Sequence, residues 1–278
     1  EQVLHAVGQR VPNVSFVLQP EPRGTGHAAR CGAAPLEALG YQGLVLVAVG
    51  DRLISPHVVR RLINTLREED CDVVFLVGPK SANPSSGRVL FDSDGSAAAI
   101  VETSEIALSS LVLRLEALLA ESGAGLRGAA VVEEIRRRWP NDQKAHKICG
   151  ELYSAALREE LLPAAQVEAL LAPLRAKTLI EVYVDGTSRQ VPAAEVEAQA
   201  TEVNLSAYLF RAPVLYDALR TIAASNAQGE EYITDCIKNL GLRRRADGTA
   251  QHRVRTVCVE HEDDSLSFNT PEELAEIE

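Results

Sequence analysis

Three stretches of this sequence combine residue types able to handle phosphate or metal. Pro20 to Gly40, PEPRGTGHAARCGAAPLEALG, sets Gly24-Thr25-Gly26 and His27 at the mouth of a helix, just after the apolar run Val14 to Leu18. Glycines let a backbone approach a ligand closely, and the first free N–H groups of a helix attract nucleotide oxygens. A tight turn capped by Thr25 accounts for the same tripeptide. Gly50-Asp51 ends a second apolar run, Gly43 to Val49. A carboxylate there is costly to bury unpaired and is a natural ligand for a hard cation such as Mg²⁺, or else the cap of the following turn. Asn226-Ala227-Gln228-Gly229-Glu230 lies between two expected helices, where Asn226 can offer a neutral oxygen to the same ion or begin the next helix.

The elements that must carry these residues alternate. Val14 to Leu18 reads as a strand, Thr25 to Leu39 as a helix and Gly43 to Val49 as a strand buried on both faces. Ser55-Pro56 starts a helix that runs to Glu69 with Val58, Val59, Leu62, Ile63 and Leu66 on one face, and Cys71 to Val77 is the next strand. Such βαβ units imply an α/β fold with a mainly parallel sheet and ligands at the carboxyl ends of its strands. Asp92-Ser93-Asp94-Gly95 turns a hairpin between Gly87 to Phe91 and Ala97 to Glu102. From Ser104 to about Arg175 the chain is rich in Ala, Leu, Glu and Arg at helical spacing, divided by Gly123 to Gly128, Pro140 and Pro163 into about four helices. A strand Thr178 to Val184 follows. The first pattern resumes with a strand Asn204 to Phe210, helices Pro213 to Ala224 and Glu230 to Leu240, a strand Arg253 to Val259 and a helix from Pro271.

The 278 residues carry a formal net charge of −11, which argues against sequence-independent binding to nucleic acid or to an anionic membrane surface. No apolar run of membrane-spanning length and no secretory leader is visible, so the cytoplasm is the expected location. Five cysteines are scattered without a CxxC spacing and read as buried thiols, and the six histidines show no metal-ligand spacing.

QPEPRGTGHAA, LVLVAVGD, SGRVLFDSDGSAAAIVE, EVNLSAYLF, SNAQGEEYITD and FNTPEEL occur in the order found in sugar-1-phosphate nucleotidyltransferases. Together they most resemble the pyrophosphorylase domain of N-acetylglucosamine-1-phosphate uridylyltransferase, over residues 1–102 and 203–278. The resemblance implies a Rossmann-like sheet of the nucleotide-diphospho-sugar transferase type and transfer of a nucleotidyl group from an NTP, with UTP expected, to a sugar-1-phosphate with release of pyrophosphate. It implies that Gln19, Gly24 and Thr25 read the nucleobase, that Asp51 and Asn226 hold Mg²⁺ as catalytic residues, and that Gly87, Glu102 and Asn204 surround the sugar.

This chain also departs from that pattern. The family's glycine-rich loop, with its arginine and lysine, is expected ahead of Glu1, and Glu1-Gln2-Val3 reads as the middle of a helix. The proline expected after the metal aspartate is replaced by Arg52-Leu53, Thr103 stands where a lysine usually follows Glu102, and Leu205-Ser206 replace Thr-Gly. Three parts are therefore expected: a nucleotidyltransferase core over 1–102 and 203–278, and a helical insertion over 103–202. The insertion is either a solvated subdomain with its own core or a lid, oligomer surface or partner-docking module, with Trp139 as an anchor. A non-catalytic module that binds a sugar nucleotide or a protein is the alternative function.

Overall fold

The computed structural model describes residues 5, 7–8, 11–224, 226–268 and 270–277, so the expected helix at Glu1-Gln2-Val3 lies outside the described residues. In chain order the elements are α1 (Thr25–Ala38), β1 (Leu44–Ala48), β2 (Arg52–Ile54), α2 (Pro56–Glu68), β3 (Val73–Pro79), β4 (Arg88–Phe91) and β5 (Ala97–Val101). Next come α3 (Thr103–Ser122), β6 (Gly125–Arg127), α4 (Gly128–Arg138), α5 (Asp142–Cys149), α6 (Glu151–Arg158), β7 (Leu161–Pro163), α7 (Ala164–Lys177), β8 (Leu179–Val184), β9 (Thr187–Pro192) and α8 (Ala193–Gln199). The chain then forms β10 (Glu202–Arg211), α9 (Ala212–Arg220), α10 (Asp235–Leu242), β11 (Val254–Cys258), β12 (Ser265–Ser267) and α11 (Pro271–Ile277).

One six-stranded sheet organises the α/β core in the order β11-β3-β10-β4-β5, with β1 also on β10. The directions of pairing make β1, β3, β4 and β11 run one way and β10 and β5 the other. Alternation along β3 explains how the sheet is covered. Val73, Phe75 and Val77 face a cluster with Leu215 and Leu219 of α9 and Ile237 and Leu240 of α10. Val74 and Leu76 face Val58, Leu62 and Leu66 of α2. Period-2 strands between amphipathic helices thus bury both faces of the sheet.

Strand β1 lies along one side of the carboxyl-terminal half of β10, pairing Leu44 with Arg211 and Ala48 with Ala207. On the same side, β4 takes over at the start of β10, pairing Arg88 with Val203. Between these two partners β10 shifts register, and Ser206 adopts a left-handed backbone at φ 56°. The irregularity is therefore where one neighbour strand ends and another begins.

Three sequence expectations are corrected. Val14 to Leu18 is not a strand: it runs without sheet pairing, and Leu18 is 83 % exposed. A strand needs a neighbour for its N–H and C=O groups, and no described strand lies beside this segment. Gly43 to Val49 is not buried on both faces, because β1 is paired only with β10 among the described residues and leaves Leu46 exposed. The helix expected from Glu230 starts at Asp235, because the backbone of Glu231 is bonded to Arg23 and Gly26.

The stretch between β5 and β10 is not wholly helical. Strands β6 and β7 pair antiparallel, and β8 and β9 form a hairpin. Helices α3 to α7 enclose a core of their own, in which Trp139 is only 4 % exposed. The expected anchor for a partner is thus an interior residue. The second part, β8, β9 and α8, shares a different core with the β4–β5 hairpin, where Ile180, Val182 and Val196 meet Leu90, Ala98 and Val101. Arg88 pairs with Val101 on one side and Val203 on the other, so the stretch leaves and re-enters the sheet on either side of one residue.

Candidate active site

The register shift in β10 brings several of the expected residues together. Asn204 spends its amide on the irregularity: Oδ1 accepts from the Ser206 N–H at 3.0 Å and Nδ2 donates to the Tyr208 hydroxyl at 2.6 Å. Its backbone N–H donates to the Gly87 carbonyl at 2.8 Å, and Ser206 returns its own carbonyl to the Val49 N–H at 3.4 Å. The loop carrying Asp51 and the loop carrying Gly87 therefore reach the same side of β10 two residues apart. Gly87 is closely surrounded there: a Cβ would stand 3.0 Å from Ile100 and 3.2 Å from the Glu102 carboxylate. Gly87, Glu102 and Asn204, the expected sugar side, thus form one cluster.

Glu102 links this cluster to the next. Its Oε1 accepts from the Thr234 hydroxyl at 2.9 Å, and its N–H donates to Glu105 at 3.0 Å at the start of α3. Burial raises the Glu102 carboxyl above its ordinary range, the Thr234 hydroxyl works against that rise, and nearby Asp235 adds to it. Burial also raises the phenol of Tyr208, with the Glu102 charge contributing.

The expected nucleobase loop is stitched to residues 231–233. The Glu231 N–H donates to the Arg23 carbonyl at 2.8 Å, the Gly26 N–H donates to the Glu231 carbonyl at 2.7 Å, and Thr25 Oγ1 accepts from the Ile233 N–H at 3.1 Å. Gly24 has φ 117°, and a Cβ on it would fall 2.4 Å from the Glu231 carbonyl oxygen. Its conformation and close approach thus serve a backbone contact. Within the loop, Gln19 Nε2 donates to the Gly24 carbonyl at 3.2 Å and lies 3.1 Å from the His27 ring. Glu231, 3 % exposed, holds Arg23 and Arg30 by ion pairs. That carboxylate was missed by motif reasoning, although two arginines flanking the glycine loop and a Glu-Glu pair in NAQGEEYITD were signals for it.

Asp51 and Asn226 are not joined by any hydrogen bond among the described residues. Asp51 is exposed after the end of β1, and its carbonyl accepts from the Phe268 N–H at 3.0 Å. Asn226 is buried and turned onto its own loop: Oδ1 accepts from the N–H groups of Gln228 at 3.2 Å and Glu230 at 3.1 Å, while Nδ2 donates to the Glu230 carbonyl at 2.5 Å. No group of three or more His, Cys, Asp or Glu able to hold a metal occurs among the described residues. An exposed carboxylate fits Mg²⁺, which commonly takes one or two protein carboxylates and fills its shell with phosphates and water. Asp51 meets that description. Asn226 meets it only once its oxygen is released from the two N–H groups. Arg52, beside Asp51, adds a cation that was also missed: it donates to Ser265 at 3.0 Å, its buried Nε has no hydrogen-bond partner among the described residues, and burial lowers its pKa.

Over about a third of its length the chain is similar to bifunctional GlmU proteins. It is 38 % identical over 93 residues to GlmU of Mycolicibacterium gilvum, covering 33 % of this chain and 18 % of that protein. It is 34 % identical over 111 residues to GlmU of Hyphomonas neptunium, covering 39 % and 23 %. The matched part is thus about a fifth of those relatives. Among solved structures, HddC from Yersinia pseudotuberculosis complexed with GMP-PN aligns with 99 % of this chain and 72 % of its own at 11 % identity and a TM-score of 0.41. No protein-family model matches the chain. No helix among the described residues is long and apolar enough to cross a membrane.

Proposed function

We propose that this chain belongs to a sugar-1-phosphate nucleotidyltransferase, with UTP as donor and N-acetylglucosamine-1-phosphate as the expected acceptor. The observation that carries this reading is the meeting of the Asp51 loop, Gly87, Glu102 and Asn204 around the register shift of β10. The similarity to GlmU proteins over about a third of the chain supports it.

On this reading an oxygen of the sugar-1-phosphate attacks the α-phosphorus of the NTP, the bond to the leaving pyrophosphate breaks, and the sugar nucleotide remains. Such transfer depends mostly on in-line positioning and on charge neutralisation. Gln19, Gly24 and Thr25 present hydrogen-bonding groups to the base edge. Asp51, joined by Asn226 after its amide turns, would hold the Mg²⁺, whose charge offsets that of the phosphates. Glu102, Gly87 and Asn204 hold the sugar, and the guanidinium of Arg52 lies beside Asp51 to balance phosphate charge.

A non-catalytic module that binds a sugar nucleotide has an observation in its favour too, since the side-chain amides of Asn204 and Asn226 are engaged by their own loops. Pyrophosphate release by the full-length protein, measured over a panel of NTPs and sugar-1-phosphates with and without Mg²⁺, separates the two. Metal-dependent turnover of UTP supports the enzyme. Binding of a sugar nucleotide with no turnover of any pair supports the module.

A further inference from the structure

The stretch between β5 and β10 touches both sides of the site, at two separate places. On the nucleotide side, Lys147 of α5 reaches Glu230 at 2.6 Å. Ala227, next to Asn226, is 1 % exposed and belongs to the same apolar core as Trp139, Ile148 and Leu152. The loop that carries Asn226 is therefore packed into the insertion on one side and bonded to the nucleobase loop on the other. On the sugar side, Glu197 of α8 accepts from Arg88 Nε at 2.5 Å and from Lys80 at 2.9 Å, and Lys80 also donates to the Glu197 backbone carbonyl at 2.5 Å. Arg88 is only 7 % exposed, directly follows Gly87, and donates to the carbonyls of Pro84 and Ser86.

We propose that the insertion is a positioning element for both substrates, in which Glu197 fixes the 80–88 loop on the sugar side and Lys147, with the packing of Ala227, fixes the 226–230 loop on the nucleotide side. The inference rests on the functional reading given above. Glu197 acts through Arg88 on Gly87 and Asn204. Its carboxylate offsets two cations, one of them nearly buried, so its loss leaves the loop's anchor uncompensated. The Lys147 pair is half exposed and weak in itself, so reversing its charge disturbs the loop more than deleting it. Neither residue touches a reacting atom.

The test uses the full-length protein with UTP and the sugar-1-phosphate it accepts. Glu197→Gln is expected to raise KM for the sugar-1-phosphate roughly five- to tenfold and to leave KM for UTP within about twofold. Lys147→Glu is expected to do the converse, and adding Glu230→Lys to it restores the UTP value. Hydrogen–deuterium exchange on the same variants reads the geometry without turnover: faster exchange at 80–88 in the first and at 226–230 in the second. Equal movement of both KM values, no movement of either, or exchange that rises uniformly in both variants overturns the proposal. A wild-type protein that turns over no substrate ends the functional reading, and the two exchange patterns then decide the positioning claim alone.

Discussion

Thr234 donates its hydroxyl to Glu102 across 132 positions of sequence, at 2.9 Å, and so ties the start of α10 to the end of β5. The bond favours the ionised carboxyl against the burial that raises it. Thr234→Val removes the donor and keeps the shape, so the Glu102 pKa is expected to rise further. The acid limb of the pH profile of kcat/KM should then move to higher pH, because more base is needed to ionise the group. The lost bond corresponds to about 1–3 kcal/mol where the acceptor is charged. An unmoved profile in Thr234→Val would detach Glu102 from the chemistry.

Gly24→Ala tests whether the nucleobase loop depends on its contact with residues 231–233. The new methyl group would meet the Glu231 carbonyl at 2.4 Å from a backbone held at φ 117°. Both the clash and the strain disfavour it, so a loss of at least about 2 kcal/mol is expected in denaturant unfolding. Gly95 also has a positive φ, 78°, but meets nothing within 4 Å, so Gly95→Ala is the control for strain alone. Equal losses at the two positions would show that the contact with Glu231 adds nothing.

Much of this was legible from the chain, and the failures have causes. Apolar runs and a turn signal located β3 and the β4–β5 hairpin, whose partners lie within the same sheet. The apolar pattern misjudged Val14 to Leu18, since an apolar run of strand length says nothing about whether a neighbour exists to pair with it. It placed the strand that became β8 but missed β6 and β7 between β5 and β10, because strands of three residues vanish inside long Ala- and Leu-rich runs. A cue was present nonetheless. The pattern Gly/Pro-Ala-Ala-x-Val-Glu recurs at Gly128 to Glu133, Pro163 to Glu168 and Pro192 to Glu197. Each copy marks a strand-to-helix junction, from β6 to α4, β7 to α7 and β9 to α8. The residue types of the motifs could be read one by one, but their bonding could not. Asn204 and Asn226 hold their own loops together and Thr25 ties its loop to Ile233, roles no spacing reveals.

Glu105 makes stability depend on pH. Burial is the main cause that raises its carboxyl from 4.5 to about 7, with Asp235 and Glu102 adding to the rise and Lys238 and the Glu102 N–H opposing it. The folded state therefore binds this proton more tightly than the unfolded chain. Its contribution is fully present below about pH 4.5 and is lost as pH rises through about 7, a change on the order of 3 kcal/mol. Glu105→Gln keeps an acceptor for the Glu102 N–H and removes the ionisation. Thermal melts from pH 5 to 8 should show a smaller decline for the variant than for the wild type. Parallel curves would mean that the Glu105 carboxyl is ionised in the folded protein throughout that range.

Asp51→Asn is the decisive substitution for the mechanism. The side chain is exposed, and the backbone carbonyl accepts from the Phe268 N–H in either variant. The change removes one charge and little volume, so the melting temperature should stay within about 2 °C of the wild type, as for surface substitutions generally. Metal-dependent turnover should nevertheless disappear in the full-length enzyme, because an amide is a poor replacement for an exposed carboxylate as the ligand of a hard cation. Asn226 cannot compensate, since its Oδ1 first has to leave the N–H groups of Gln228 and Glu230. Raising Mg²⁺ is expected to recover little. A fully active Asp51→Asn enzyme with an unchanged metal requirement would end the role assigned to this residue and, with it, the proposed nucleotidyl transfer at the register shift of β10.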